Sequence, residues 1–255
     1  MVKYGKRGNT MKQEEILNQR SMMVYKANDI VQKSKYDLSL QGQKLVLYII
    51  SMIKPDDPEA KRYTIPIKDF CQIMDLKECG VNYKRIRETI TAIENNRIWV
   101  FFDNQNRWKE LSWLAFPDLD ITDMYVEYSI DPRMRPFLFG IKEKFTMFEL
   151  NDILKMRSKY SIRIYELLKS YRNVGLVRFS VQELKEKLMI EKYDDYGNFR
   201  DKVLNVAVQE ISMLTDMDVT YKPERTGRRI THIVFCMESR QAREIAEMER
   251  QGEFL

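Results

Sequence analysis

Leu45, Tyr48, Ile49 and Met52 recur at i, i+3, i+4 and i+7, the stripe of a helix with one buried face. Ser39 stands ahead of the stripe, where it can cap the helix. The run Lys54-Pro55-Asp56-Asp57-Pro58 ends it, because proline cannot continue the hydrogen-bond ladder. Tyr63 to Ile65 predicts a short strand, and Pro66 suits the first turn of a second helix that turns Phe70, Ile73 and Met74 inward. After the turn Lys77-Glu78-Cys79-Gly80, Asn82 is placed to cap a third helix with Ile86, Ile90 and Ile93 on its inner face. Ile98, Val100 and Phe102 then alternate as in a strand, Asp103 to Asn106 turns, Trp108 to Phe116 returns, and Tyr125 to Ile130 predicts another strand.

The same order returns roughly 115 residues later. Ile162-Arg163-Ile164-Tyr165-Glu166-Leu167 stands where Leu45-Val46-Leu47-Tyr48-Ile49-Ile50 stood. Val177 to Leu184 matches Tyr63 to Phe70 as a short strand and a helix start, with Ser180 and Glu183 spaced as a capping box. Asn198-Phe199-Arg200 opens a helix as Asn82-Tyr83-Lys84 does, with Val203, Val206, Ala207 and Ile211 inward. Met217 to Tyr221 begins a hairpin that turns at Lys222 to Gly227 and closes through Ile230 to Met237. Helix, strand, helix, helix, hairpin is the order of a winged helix. The predicted fold is therefore α+β, two tandem winged-helix domains related by an internal repeat, an architecture suited to reading DNA.

The pattern divides the chain into four parts. Residues 1–27 form an arm of poor order, in which Glu14 to Tyr25 can add a short helix. Residues 28–136 form an N-terminal domain for dimerisation and DNA contact, and 137–238 a C-terminal domain that is the main reader. Residues 239–255 form a charged tail. Asp131 to Pro136 reads as the connection between the domains.

Composition narrows the chemistry. Of 255 residues, 44% are hydrophobic and 32% charged, with a net charge of +5. No apolar run reaches the roughly 18 residues of a membrane helix, so no membrane partner is expected. The single histidine, His232, excludes a two-histidine metal site, and a place on a wing strand suits it better than catalysis. The three cysteines form no CxxC pair and suit a reducing compartment, with Cys71 and Cys236 expected in the core. No GxxxxGK[ST] phosphate loop is present. The expectation is a cytoplasmic, nucleoid- or plasmid-associated protein, not an enzyme, with no cofactor, catalytic residue or metal ligand.

Basic residues cluster where a duplex reader needs them. Arg200 and Lys202 project from the first turn of the last helix, with Asn205 and Gln209 beyond. Arginine can pair with guanine through two hydrogen bonds, and asparagine or glutamine with adenine. Ser158, Lys159, Tyr160 and Arg163 open a helix whose amides favour an anion, a candidate phosphate clamp. Arg225, Arg228 and Arg229 sit on the wing, positioned for backbone or minor groove. In the first copy, Lys84, Arg85 and Arg87 are the equivalent helix candidates, or flank a protein interface.

Four stretches carry a family resemblance: Leu40-Gln41-Gly42-Gln43-Lys44-Leu45, Tyr160 to Leu168, Phe199 to Ala207, and Thr215 to Tyr221. Together they resemble the replication initiator (Rep) family of iteron-containing plasmids, over residues 28–237. The resemblance implies monomers on directly repeated origin sites, in equilibrium with homodimers on inverted repeats that repress the initiator's own gene. It also implies double-stranded DNA, the host replication initiator and the replicative helicase as partners, with most base contacts in the C-terminal domain. The alternative is a dimeric winged-helix transcriptional repressor with no replication role. A rolling-circle nickase would need a histidine pair that this chain lacks.

Overall fold

A computed structural model describes residues 13–58, 61–115 and 125–239. The elements, in chain order, are α1 (Gln13–Arg20), β1 (Met23–Ala27), α2 (Asn28–Gln32), β2 (Ser34–Lys35), α3 (Leu40–Ser51), β3 (Tyr63–Pro66), α4 (Ile67–Ile73), α5 (Gly80–Asn95), β4 (Arg97–Phe102), β5 (Arg107–Ser112), β6 (Leu114–Ala115) and β7 (Tyr125–Ile130). They continue through α6 (Arg135–Leu138), β8 (Phe145–Glu149), α7 (Leu150–Leu154), α8 (Lys159–Lys169), β9 (Leu176–Ser180), α9 (Val181–Lys187), α10 (Tyr196–Phe199), a π-turn (Arg200–Leu204), α11 (Asn205–Leu214), β10 (Met217–Thr226) and β11 (Arg229–Ser239).

Two winged helices are present. The first runs α3, β3, α4, α5, β4, β5, and the second α8, β9, α9, α10 to α11, β10, β11. They differ in their sheets. In the second, β9 pairs directly with β11 in the order β10-β11-β9. In the first, β3 pairs with β7, which also pairs with β6, while β4 and β5 form a separate sheet with β2.

Helices α3 and α8 occupy equivalent places and are enclosed on nearly all sides. Gly42 to Ser51 of α3 and Ser161 to Leu168 of α8 are buried without interruption. Full burial of each aliphatic side chain here contributes about 1.5–3 kcal/mol. The buried apolar residues of both halves form one continuous cluster. Ser39 caps α3 by accepting from the Gly42 amide at 3.1 Å, and Ser180 caps α9 by accepting from Glu183 at 3.0 Å.

The structure corrects several expectations. The stretch expected as a loose arm contains α1 and β1 over residues 13–27. Strand β1 pairs antiparallel with β8, Met23 opposite Glu149 and Ala27 opposite Phe145. Asn28 donates its amide to Lys144 O at 2.7 Å, and Leu150 donates to Met22 O at 2.9 Å. This ribbon joins the start of one half to the start of the other, across the division expected at residue 136. Asp131 to Pro136 is a packed corner rather than a linker: Met134 is fully buried, and Asp131 accepts from Arg133 and from the Ser112 amide. Residues 1–12 of the expected arm, Phe116 and tail residues 240–255 lie outside the described residues.

Helix starts also move. α5 begins at Gly80, so Asn82 lies inside it and donates its side-chain amide to Lys77 O at 2.8 Å. The cap of α10 is Asp195, not Asn198: its carboxylate accepts from the Asn198 amide at 2.9 Å. The wing turn is shorter than expected, because β10 runs on through Thr226 and only Gly227 (φ +61°) and Arg228 lie between the strands. Pro223 is tolerated inside β10 because that strand is an edge of its sheet.

Candidate nucleic-acid interface

The outer face of the second winged helix is built by α10, the π-turn and α11. Phe199, Val203, Leu204, Ala207 and Ile211 are buried beneath it. The π-turn adds a residue to one helical turn, with Asn205 N donating to Arg200 O. That extra residue rotates Leu204 fully inward and leaves Val206 only half-buried, where a regular helix would have buried Val206. Such insertions recur at functional sites.

Arg200, Lys202, Asn205 and Gln209 are exposed on this face, and Arg225, Arg228 and Arg229 are exposed at the wing. Helix and wing converge. The Tyr196 hydroxyl is raised by burial and drawn back by the charges of both Arg200 and Arg225. Tyr221, on β10, donates its hydroxyl to Asn205 Oδ1 at 2.7 Å. Asn205 Nδ2 in turn donates to Asp201 Oδ1 at 3.2 Å. Arg200 meets the same carboxylate through Nε at 2.8 Å and Nη2 at 3.1 Å. Arg200, Asp201, Asn205 and Tyr221 therefore form one hydrogen-bonded set that spans the π-turn, α11 and β10.

The start of α8 is different. Ser158 is its cap, accepting from the amides of Tyr160 and Ser161 at 3.2 and 3.4 Å. The anion at this helix start is the protein's own Glu210, which accepts from the amides of Arg157 and Ser158 at 2.8 and 3.3 Å. Lys159 pairs with Asp37, and Tyr160 is half-buried. Arg163 does not reach the surface. It is 4% exposed, donates to Glu166 at 3.0 Å and to Ser34 O at 3.3 Å, and stacks over Tyr36 at 4.4 Å. These four residues were expected to form a phosphate clamp. Arg163 is removed from it by burial, and Ser158, Lys159 and Tyr160 are engaged within the protein.

In the first half, α5 presents Lys84 and Arg85 to solvent, with Lys84 Nζ 3.8 Å from Glu88, while Arg87 is half-buried. His232 lies on β11 beside Thr231, with 3.0 Å between Nδ1 and Oγ1. Cys71 is buried and its thiol is pushed up to about 11, consistent with a core role. Cys236, expected in the core, is half-buried on β11. Among the described residues no group of three or more His, Cys, Asp or Glu side chains could hold a metal, and no helix is long and apolar enough to cross a membrane. Asp201 and Tyr221 were missed in the sequence. Asp201 is a carboxylate inside a basic helix face, and Tyr221 belongs to a strand whose distance from that helix only the fold reveals.

Comparison with known proteins agrees with this architecture. Residues 23–169 match the family described as Initiator Replication protein, WH1, and residues 180–236 match Initiator Rep protein, WH2. The chain is 25% identical over 245 residues to a replication initiation protein of Escherichia coli, covering 89% of this chain and 73% of that one. It is 32% identical over 142 residues to the PI protein of Escherichia coli, covering 49% of this chain and 46% of that one. Among solved structures, domains 2–3 of RctB align with a TM-score of 0.47 at 12% identity, over 80% of this chain and 85% of theirs. The chain belongs to the initiator replication protein family and is a DNA-binding replication initiator of the plasmid Rep type, built from two tandem winged helices.

Proposed function

We propose that the chain binds repeated origin DNA by laying both winged helices on one duplex, with the second as principal reader. Arg200, Lys202 and Asn205 contact base edges in the major groove, while Arg225, Arg228 and Arg229 contact backbone or minor groove. The observation that carries this is the hydrogen bond from the Tyr221 hydroxyl to Asn205 Oδ1 at 2.7 Å, which holds the first strand of the wing against the helix that bears Arg200 and Lys202. Lys84 and Arg85 of α5 are the contacts of the first winged helix, and Arg87 supports them from a half-buried position. Each module alone binds weakly, and linking them raises the effective concentration of the second event.

Monomers on direct repeats start replication, recruiting the host initiator and replicative helicase in the cytoplasm. Homodimers on an inverted repeat repress the initiator's own gene. The dimer edge is β5, the outer strand of its sheet, beside the exposed Trp99 and Trp108. The action is binding and strand opening without covalent chemistry. Footprinting of the purified chain on direct and inverted repeats tests the proposal. Protection of direct repeats by monomer supports an initiator. Protection of the inverted repeat alone by an obligate dimer leaves the simple repressor, and a covalent link to nicked DNA overturns the non-enzymatic reading.

A further inference from the structure

The carboxylate of Asp201 stands on the helix face proposed to enter the major groove, with its side chain 52% exposed. A negative charge there opposes DNA phosphates, so it lowers general affinity unless it serves recognition. Its contacts are directional. Asp201 takes Nε and Nη2 of Arg200, one edge of the guanidinium fork. The end of the fork, Nη1 and the outer hydrogen of Nη2, is left pointing away from that bond. Two parallel donors at that end are what guanine O6 and N7 require. The same carboxylate accepts from Asn205, whose oxygen is held by Tyr221 on the wing strand. The π-turn closing from Arg200 to Asn205 sets these side chains on one face.

We propose that Asp201 is a specificity-determining residue that orients Arg200 and Asn205 for base contact, with Tyr221 as the positioning residue that anchors this set to the wing. The proposal rests on the reading of this helix as the base-reading element. It separates two quantities that a structural role would move together. Removing the charge raises affinity for DNA in general, while releasing Arg200 and Asn205 lowers the preference for the right sequence.

The test uses the full chain and a duplex enriched by the wild-type protein from a randomised pool, beside a scrambled duplex of equal composition. Asp201→Asn is expected to bind the scrambled duplex at least as tightly as wild type, and to lose about tenfold or more of the preference for the enriched one. Tyr221→Phe, which keeps the ring against Phe235, should lose several-fold of that preference with no gain on scrambled DNA. Thermal melts of both variants check that they fold, which the exposure of Asp201 favours. An unchanged preference in folded Asp201→Asn overturns the inference. Weakening on both duplexes alike also overturns it, by assigning Asp201 a merely structural role. If the wild type enriches no sequence at all, the base-reading assignment itself fails first.

Discussion

Lys26 Nζ lies 2.6 Å from Glu166 Oε1 across 140 residues of sequence, and both side chains are buried. Lys26 belongs to β1 and Glu166 to α8, so the pair ties the two halves of the chain together. Arg163 and the Tyr36 hydroxyl reach the other oxygen, Oε2, at 3.0 and 3.2 Å. Lys26 lies 5.2 Å from the centre of the Trp113 ring. One buried carboxylate thus serves two buried cations.

That charge count ranks the variants. Glu166→Gln leaves Lys26 and Arg163 buried together without an anion, and its expected cost is about 3–5 kcal/mol. Lys26→Met keeps the apolar stem and leaves Arg163 and Glu166 as a neutral pair, so its cost should be smaller. Urea unfolding of both variants measures the difference. Equal losses would mean that Arg163 does not share the carboxylate as the geometry indicates.

The same pair sets a pH dependence. Burial pushes the Glu166 carboxyl up, but Lys26 and Arg163 outweigh it and hold the group below the usual glutamate range. The folded state therefore binds fewer protons than the unfolded chain in this window, and stability rises with pH. The contribution is present above the ordinary value of about 4.3 and is lost as pH falls through the lower folded value. Asp152 runs the other way, since burial raises it despite a hydrogen bond from Tyr165. The difference between wild type and Glu166→Gln isolates Glu166: their urea midpoints should converge as pH drops from 6 towards 3.

Most of the scaffold was legible because its signals are local. The stripe on α3, the cap at Ser39 and the alternation of β4 each depend on residues within a few positions. What escaped depends on distant partners. Strand β1 hides its alternation by turning Lys26 inward beside Val24, which only the Glu166 carboxylate makes acceptable. Asn28-Asp29-Ile30 recurs as Asn151-Asp152-Ile153, a sign that the repeat begins before α3 and α8. Arg163 resembled a phosphate ligand because it follows a helix start. Yet a helix apolar on its other faces, with Arg163 and Glu166 three apart, signals a buried ion pair. On the proposed interface, Arg200, Lys202 and Asn205 were legible as exposed positions on an amphipathic helix. The π-turn that sets their register has no comparable mark.

The salt response separates the wing from the start of α8. Neutralising one phosphate contributes roughly 0.9 to the slope of log affinity against log salt. Arg225→Ala should lower that slope by about one. Lys159→Ala should leave it nearly unchanged, because the Lys159 ammonium is paired with Asp37. Titrations of one duplex at several salt concentrations give both slopes. A drop with Lys159→Ala equal to that with Arg225→Ala would return Lys159 to the contact surface.

Glu210 on α11 supplies an anion just ahead of α8, accepting from the amides of Arg157 and of the cap residue Ser158. The buried Lys44 lies within its field and donates to Leu154 O at 2.6 Å. Glu210→Ala leaves those amides to water and removes a counter-charge from Lys44, at an expected cost of about 1–2 kcal/mol. The vacated position lies at a helix start within the field of Lys44, so it should accept a small anion. Sulfate also stabilises folded proteins in general by exclusion from their surface. The informative quantity is therefore the rise in Tm from chloride to sulfate at equal ionic strength, compared between variant and wild type. A larger rise for Glu210→Ala is expected; an equal rise would mean that the carboxylate acts there only as a hydrogen-bond acceptor and not as an anion.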